Sequence, residues 1–590
     1  MMRKIFSAWM SVALLLAAPA AFADHSAASP PDSVQAFGAN TGIFTREDLA
    51  KARPVIARHA MVASSQHLAT MVGVDIMKQG GNAVDAAVAV GYALAVVHPC
   101  CGNVGGGGFM VIHLKDGKNL FLDFREKAPL KATVTMYQDA KGNVVPGRST
   151  DTYLGVGVPG TVMGMDAALA KYGTLPLHTV IAPAIKLARD GFVLQQGDVD
   201  LMNGSVKTFA KYPNVAAIFL NHGHPYVAGD RLRQPLLAHT LELIDKSHGK
   251  AFYHGEIARK VVAASQANGG ILSMQDFADY SVNWDEPVRC SYNGYTIVSA
   301  PPPSSGGVTI CEVLQMLAPY PLAQWGYGSV KSVHYLIEAE RRAFADRNTY
   351  LGDPAFVHNP IQQLLAPEHI STLRDSIKPD LATRSSAIGG SLGPTEGKET
   401  THYSVVDKDG NAVAVTYTIN GDFGTGQIAG DTGFFLNNEM DDFTSKPGVP
   451  NMFGLVQGVA NQVEPGKRPL SSMSPTIVLH EGKLFMVTGS PGGSTIISTT
   501  LESILNAVTF GMNMQQAVDA PRLHEQWLPD VVFVEPGLLS ARDQATLEGM
   551  GHRFKAESWG EDEGILLDPH TGLLEGANDR RVPAGLAAGY

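Results

Sequence analysis

Apolar and polar positions alternate with period two in residues 401–418, THYSVVDKDGNAVAVTYT. Tyr403, Val405, Val413, Val415 and Tyr417 are strand formers on one side of that alternation, and Asp409-Gly410 between the runs is a two-residue turn signal, so a hairpin is predicted. Shorter apolar runs predict strands over 109–112, 120–124, 476–479 and 484–487. Other stretches change to helical spacing. Thr70, Val72, Val74 and Met77 share one predicted helix, Gly80-Gly81-Asn82 breaks it, and a second covers 83–97. Residues 160–380 read as mainly helical, with 330–350 the longest run, and a further helix is predicted over 496–508. Strands and helices therefore occur in both halves, with no internal repeat.

Two segments break the pattern. Residues 385–398, SSAIGGSLGPTEGK, have linker composition and end just before Thr400. Residues 1–23 open with Arg3 and Lys4, continue through an apolar run containing Val12–Leu16, and close on Ala21-Phe22-Ala23. That is the form of a secretory signal peptide, too short in its apolar part for a comfortable membrane span, so the mature chain is expected to begin near Asp24 in a periplasmic or secreted protein.

The 590 residues are 45% hydrophobic and 17% charged, an ordinary globular composition. Removing Arg3 and Lys4 takes the formal charge from −11 to −13; with no basic cluster, nucleic acid is excluded as a partner. Cys100, Cys101, Cys290 and Cys311 lack the spacing of a zinc site, and pairing of Cys290 with Cys311 is left open. The run Gly105–Gly108 feeds a predicted strand rather than a helix, which removes a dinucleotide loop.

A threonine hydroxyl needs a neighbouring base to act as a nucleophile, and the nearest available base is its own α-amine, freed if the preceding peptide bond is cut. A loose tail, then Thr400, then a rigid strand is the arrangement such chemistry requires. Alone, Thr-Thr at a strand start more often marks a satisfied edge. Further segments shift the balance. GSPGGSTIISTT (489–500) sets Gly492 and Gly493 at a helix start, suited to an oxyanion hole, although it also reads as a plain N-terminus capped by Ser494. KRPLSSMSPTIV (467–478) offers Ser471 and Ser472 to a carboxylate, or to a turn. NNEMDDF (437–443) gathers Asn438, Glu439, Asp441 and Asp442 for an ammonium group, or as a solvated acidic turn or a cation site. DFRE (123–126) supplies Arg125, a fork for a carboxylate or a surface ion pair. Together they describe a site for an α-amino acid whose reactive carbonyl lies on its side chain.

GNVGGGGF, DFREKAP, TTHYSVVDKDGNAVAVTYTIN, FGTG, LNNEMDDF, KRPLSSMSPTIV, TGSPGGS and GANDRR occur in this order from about residue 60 to the C-terminus, and the chain thereby resembles the γ-glutamyltransferases, which are N-terminal nucleophile hydrolases. The resemblance implies an α+β fold, an αββα four-layer sandwich built by two chains from one precursor: a heavy chain, 24–399, and a light chain, 400–590, associated as a heterodimer. It implies self-cleavage between Glu399 and Thr400, with Thr400 the nucleophile of both cleavage and catalysis and Thr418 supporting its amine. It assigns Arg125, Ser471 and Ser472 to the donor α-carboxylate, Asn420, Glu439 and Asp442 to the α-amine, and Gly492 and Gly493 to the oxyanion. The implied activity is glutathione hydrolysis and γ-glutamyl transfer to amino acids or peptides, without metal or organic cofactor and with no membrane anchor once the signal is removed. Two positions depart from the pattern of bacterial relatives: Glu439 stands where many have Gln, and Phe453, in the lid segment DDFTSKPGVPNMFG (441–454), stands where many have a Tyr whose hydroxyl meets the residue matching Asn420. Phe453 removes that hydrogen bond and bears on the ratio of transfer to hydrolysis. The alternatives are a cephalosporin (glutaryl-type) acylase of the same superfamily and a non-enzymatic periplasmic amino-acid-binding protein.

Overall fold

Two seven-stranded antiparallel sheets organise the computed structural model, which describes residues 44–388 and 400–590. The expected signal peptide, residues 1–23, and Glu399 lie outside the described residues. Across the first sheet the strands run Leu586–Gly589, Met61–Ser64, Thr401–Val406, Ala412–Thr418, Gly107–His113, Asn119–Asp123 and Asn283–Asp285. Across the second they run Val55–Ala57, Leu574–Asn578, Glu563–Leu567, Lys483–Thr488, Thr476–His480, Tyr295–Ser299 and Val288–Tyr292. Both sheets are built from segments before residue 389 and after residue 399. Thr401–Val406 pairs with Met61–Ser64, Ala412–Thr418 with Gly107–His113, and Thr476–His480 with Tyr295–Ser299.

The period-two alternation of the 401–418 hairpin has a two-sided meaning in the fold. Tyr403, Val405, Val413, Val415 and Tyr417 pack under the helix Ala83–Val97, every residue of which is buried. Val406, Ala412 and Ala414, on the opposite face, join Phe109, Val111 and Phe121 against Val298, Ile477, Val487 and Ile565 of the second sheet. The outer face of the second sheet is covered in turn by the helices Gly306–Leu317 and Thr495–Val508. Strands covered on both faces are the ones whose backbone is held most rigidly by their ladders.

The helices expected over 83–97 and 330–350 are Ala83–Val97 and Val330–Tyr350. Residues 160–380 are mainly helical, as expected, and also contain the hairpin of Val288–Tyr292 and Tyr295–Ser299 in the second sheet, joined by Asn293-Gly294 with φ of 47° and 87°. This is a strong two-residue hairpin signal, with Val288, Cys290 and Tyr292 alternating inward. The 401–418 hairpin is not closed by a two-residue turn, because its strands end at Val406 and resume at Ala412. Asp407 closes that loop, accepting the N–H groups of Asp409 and Asn411 at 2.9 and 3.0 Å. Finally, all four cysteines are paired. Cys290–Cys311 ties the strand Val288–Tyr292 to the helix Gly306–Leu317, and Cys100 is bonded to its neighbour Cys101. Among the described residues no helix is long and apolar enough to cross a membrane.

Candidate active site

Thr400 immediately precedes the strand Thr401–Val406 and is 5% exposed. Thr401 faces Tyr417 in the antiparallel register, so one further step sets Thr400 beside Thr418. The strand ends are pinned from below: Tyr417 donates to the Gly91 carbonyl at 2.9 Å, and Thr401 and Ser65 share a hydroxyl hydrogen bond of 2.9 Å. His402 lies fully buried between Thr416 and Ser404, and burial pulls its imidazole down to about 3, so it is a neutral packing group. The glycine run supplies room here. A Cβ on Gly106 would fall 1.9 Å from the Thr418 carbonyl oxygen, a contact only glycine avoids. Thr418 Oγ1 accepts the Asn420 N–H at 2.8 Å and turns the chain into a left-handed residue, Asn420, with φ 74°.

Thr400, Thr418 and Asn420 open onto a cavity of about 300 Å³, also lined by Arg125, Arg347, Glu439, Asp442, Phe453, Ser471, Ser472 and Gly493. Arg125 is fully buried at the end of the strand Asn119–Asp123. Its two terminal nitrogens donate to Glu439 and Asp442, its Nε donates to the Pro469 carbonyl at 3.3 Å, and Glu126 lies 3.7 Å away. Burial opposes the charge on Arg125, but Glu439, Asp442 and Glu126 outweigh it and raise its pKa. Arg125 alone pairs with these three buried carboxylates, and even with Arg347 across the cavity negative charge is in excess. Burial accordingly raises Glu439 and Asp442 above the usual carboxylate range and lifts Glu126, whose two oxygens have no hydrogen-bond partner, to about 7. The site is thus already arranged as a cation against anions, the complement of a zwitterion.

Ser471 and Ser472 form the opposite wall. The Ser471 N–H donates to the Pro303 carbonyl at 2.8 Å, and its own carbonyl accepts Ser305 Oγ at 2.7 Å. Arg347, from the helix Val330–Tyr350, donates to Ser472 Oγ at 3.2 Å and Ser305 Oγ at 3.0 Å, as well as to Asn348 and Gln457. All of these partners are neutral; among the described residues no carboxylate lies within ion-pair distance of Arg347. Burial pulls its guanidinium down to about 10, still protonated near neutral pH.

Gly492 and Gly493 precede the helix Thr495–Val508, and the Gly492 carbonyl accepts both the N–H and the hydroxyl of Thr495. Gly493 lines the cavity, whereas Gly492 sits one residue behind it. Ser494 occupies the cap position without capping; its hydroxyl donates to Gln526 at 2.6 Å. The segment 441–454, expected as a lid, is tied down by Asn451, which accepts the N–H groups of Phe453 and Leu455, and by Asp441, which accepts Met452 N–H at 2.8 Å. The Phe453 ring lies against Gly493. Where a tyrosine hydroxyl was expected to be lacking at Asn420, the Asn420 amide reaches Met452 Sδ at 3.5 Å instead.

Apart from Gly492, the expected site residues from Arg125 to Gly493 therefore converge on one cavity, although several are more than 300 positions apart. Of the acidic segment, Asp441 turns away to Ser149 and the lid. Arg347 and Glu126 were missed. Glu126 stood inside the DFRE motif already singled out, and Arg347 is the third arginine of a helix segment, ERRAFADR, that reads as a charged face.

A glutathione hydrolase proenzyme from Pseudomonas sp. strain A14 is 53% identical over 547 residues, spanning 91% of this chain and 95% of its own. A glutathione hydrolase proenzyme from Escherichia coli K12 is 48% identical over 568 residues, 96% of each chain. Among solved structures, a cephalosporin acylase from Bacillus halodurans superposes with a TM-score of 0.81 at 28% identity, covering 94% of this chain and 99% of that one. The family model for gamma-glutamyltranspeptidase matches residues 69–589, and the chain belongs to that family.

Proposed function

We propose that the protein is a secreted or periplasmic γ-glutamyltransferase and glutathione hydrolase that cuts itself before Thr400. The observation that carries this reading is the cavity in which Thr400 faces Arg125 held against Glu439 and Asp442. In maturation Thr400 Oγ attacks the Glu399 carbonyl, the acyl group shifts from nitrogen to oxygen, and water hydrolyses the ester. This frees the Thr400 amine and the tail before it. The heavy chain, 24–399, and light chain, 400–590, stay together as a heterodimer. Both contribute strands to each sheet of one αββα sandwich, so parting them would expose both cores.

A γ-glutamyl donor enters as a zwitterion. Its ammonium takes Glu439, Asp442 and Asn420, and its carboxylate takes Arg125, Ser471 and Ser472, with Arg347 behind Ser472 as a second cation. The Thr400 amine, whose ordinary pKa is about 7.7–8.0, accepts the Oγ proton as Oγ attacks the γ-carbonyl. The Gly492 and Gly493 amides receive the oxyanion, and Thr418 holds the amine. The departing amine leaves with the proton, and the γ-glutamyl ester passes to water or to an acceptor amine. No step calls for a metal or organic cofactor.

The cephalosporin acylase is the rival reading, since one shares the fold across nearly the whole chain. A glutaryl substrate lacks the α-ammonium and would leave Glu439 and Asp442 facing a bare methylene. Comparing a γ-glutamyl anilide with the matching glutaryl anilide decides between them. Discrimination of about 10⁴-fold in kcat/KM is expected, as for sites that hydrogen-bond a specific polar group. Equal turnover overturns the γ-glutamyl reading. A denaturing gel showing one uncut, inactive chain favours the binding protein.

A further inference from the structure

Away from the cavity, three helices bring a second set of chemical groups together. Glu312 lies on Gly306–Leu317, Asp346 on Val330–Tyr350 and His369 on Pro367–Asp375. One donor atom from each falls within 4.8 Å of the other two. His369 Nε2 and Asp346 Oδ2 are 2.6 Å apart, and their side chains are 31% and 16% exposed, so this edge opens to solvent. Glu312 is 1% exposed, and its Oε1 has no hydrogen-bond partner. Among the described residues no lysine or arginine pairs with Glu312 or Asp346. A buried carboxylate aimed at a second carboxylate and an imidazole, with no cation to balance it, is costly unless it is protonated or something positive sits between them.

We propose that Glu312, Asp346 and His369 form a divalent-cation site that staples the three helices. Two carboxylates neutralise a 2+ ion, and the imidazole favours the zinc class over calcium or magnesium, which prefer all-oxygen shells. Ligand distances of about 2.0–2.2 Å in a tetrahedral shell require Asp346 and His369 to part from their 2.6 Å contact to admit the ion while Glu312 closes on it, with water completing the coordination from the exposed His369 side. The other convergent set, His98 with Cys100 and Cys101, offers no thiolate because its sulfurs are bonded to each other. The staple bears on the active site through one helix: Arg347 follows Asp346 directly and lines the cavity. An ion at Asp346 would hold the turn that aims Arg347 at Ser472.

The test uses tag-free, self-processed protein treated with chelator and dialysed. Co²⁺ binding is followed by visible absorption, Zn²⁺ binding by calorimetry, and thermal unfolding is recorded with and without Zn²⁺. One Zn²⁺ per molecule is expected, with a raised Tm. Glu312→Gln keeps the shape of an already unpartnered group and should fold. Glu312→Gln and His369→Ala should each weaken binding by at least the about 10–100-fold that loss of even an outer-shell partner costs, and abolish the Zn²⁺-dependent rise in Tm. Absence of Co²⁺ and Zn²⁺ binding up to millimolar concentration, or the same affinity in both variants as in the parent, overturns the proposal.

Discussion

Arg125→Lys preserves charge and removes geometry, and the structure sets the size of the effect. The guanidinium makes three directed contacts, to Glu439, Asp442 and the Pro469 carbonyl, in a fully buried position. A lysine ammonium has one nitrogen on a flexible stem and cannot span two carboxylates and a carbonyl in one plane. A hydrogen bond to a charged group contributes about 1.5–3 kcal/mol, so losing one charge-assisted contact to the donor carboxylate lowers kcat/KM by about 10- to 100-fold at 1.36 kcal/mol per decade. The loss should fall mainly on KM, because the carboxylate is held in the ground state and the transition state alike. Initial rates with a γ-glutamyl anilide at fixed dipeptide acceptor measure it. A denaturing gel showing normal processing and an unchanged Tm exclude misfolding. Arg125→Met is the contrast: it leaves Glu126, Glu439 and Asp442 buried without a cation, a loss of about 3–5 kcal/mol, and should fail to accumulate as processed protein. If Arg125→Lys is processed normally and its KM matches the parent, Arg125 does not bind the donor carboxylate.

Thr400→Ala should remain a single chain on a denaturing gel and hydrolyse no γ-glutamyl anilide; cleavage at the same bond in this variant would remove Thr400 as the nucleophile. In Gly493→Ala the new Cβ would lie 2.4 Å from the Phe453 ring at φ +56°, so kcat, measured on whatever fraction is processed, should fall by about 10²–10³ as for loss of an oxyanion donor; an unchanged kcat would place the oxyanion elsewhere. For Arg347→Gln, kcat/KM should drop for an α-carboxylate donor and much less for its α-carboxamide, and equal drops would make Arg347 a packing residue only. Glu126 carries a raised pKa, so its contribution to stability is full below the unfolded value of about 4.3 and is lost as pH rises through about 7. Glu126→Gln should therefore unfold at higher temperature than the parent near about pH 8, with the gap closing toward about pH 4; a gap constant with pH contradicts the assignment.

Local pattern was enough for much of this protein. Period-two alternation and apolar helical runs determined the 401–418 strands and the helices Ala83–Val97 and Val330–Tyr350, because hydrogen bonding within an element depends on neighbours a few residues away. The site motifs were legible for a related reason: a glycine pair before a helix, or an acid-rich turn, shows its chemistry within a dozen residues. What those motifs do to one another was not legible. Arg125 meets Glu439 and Asp442 across 314 and 317 positions, so whether its charge faces solvent, substrate or protein was decided by how two sheets stack. The helix 330–350 was evident, but not that its turn at Asp346-Arg347 aims one side chain into the cavity and the other toward Glu312 and His369. The spacing of Cys290 and Cys311 permitted a bond, and only the packing of the helix Gly306–Leu317 on the strand Val288–Tyr292 brought their Cα atoms to 5.8 Å. Periodicity tells which face of an element is buried; which partner it is buried against is set by burial of apolar surface summed over the whole chain, a quantity no local window contains.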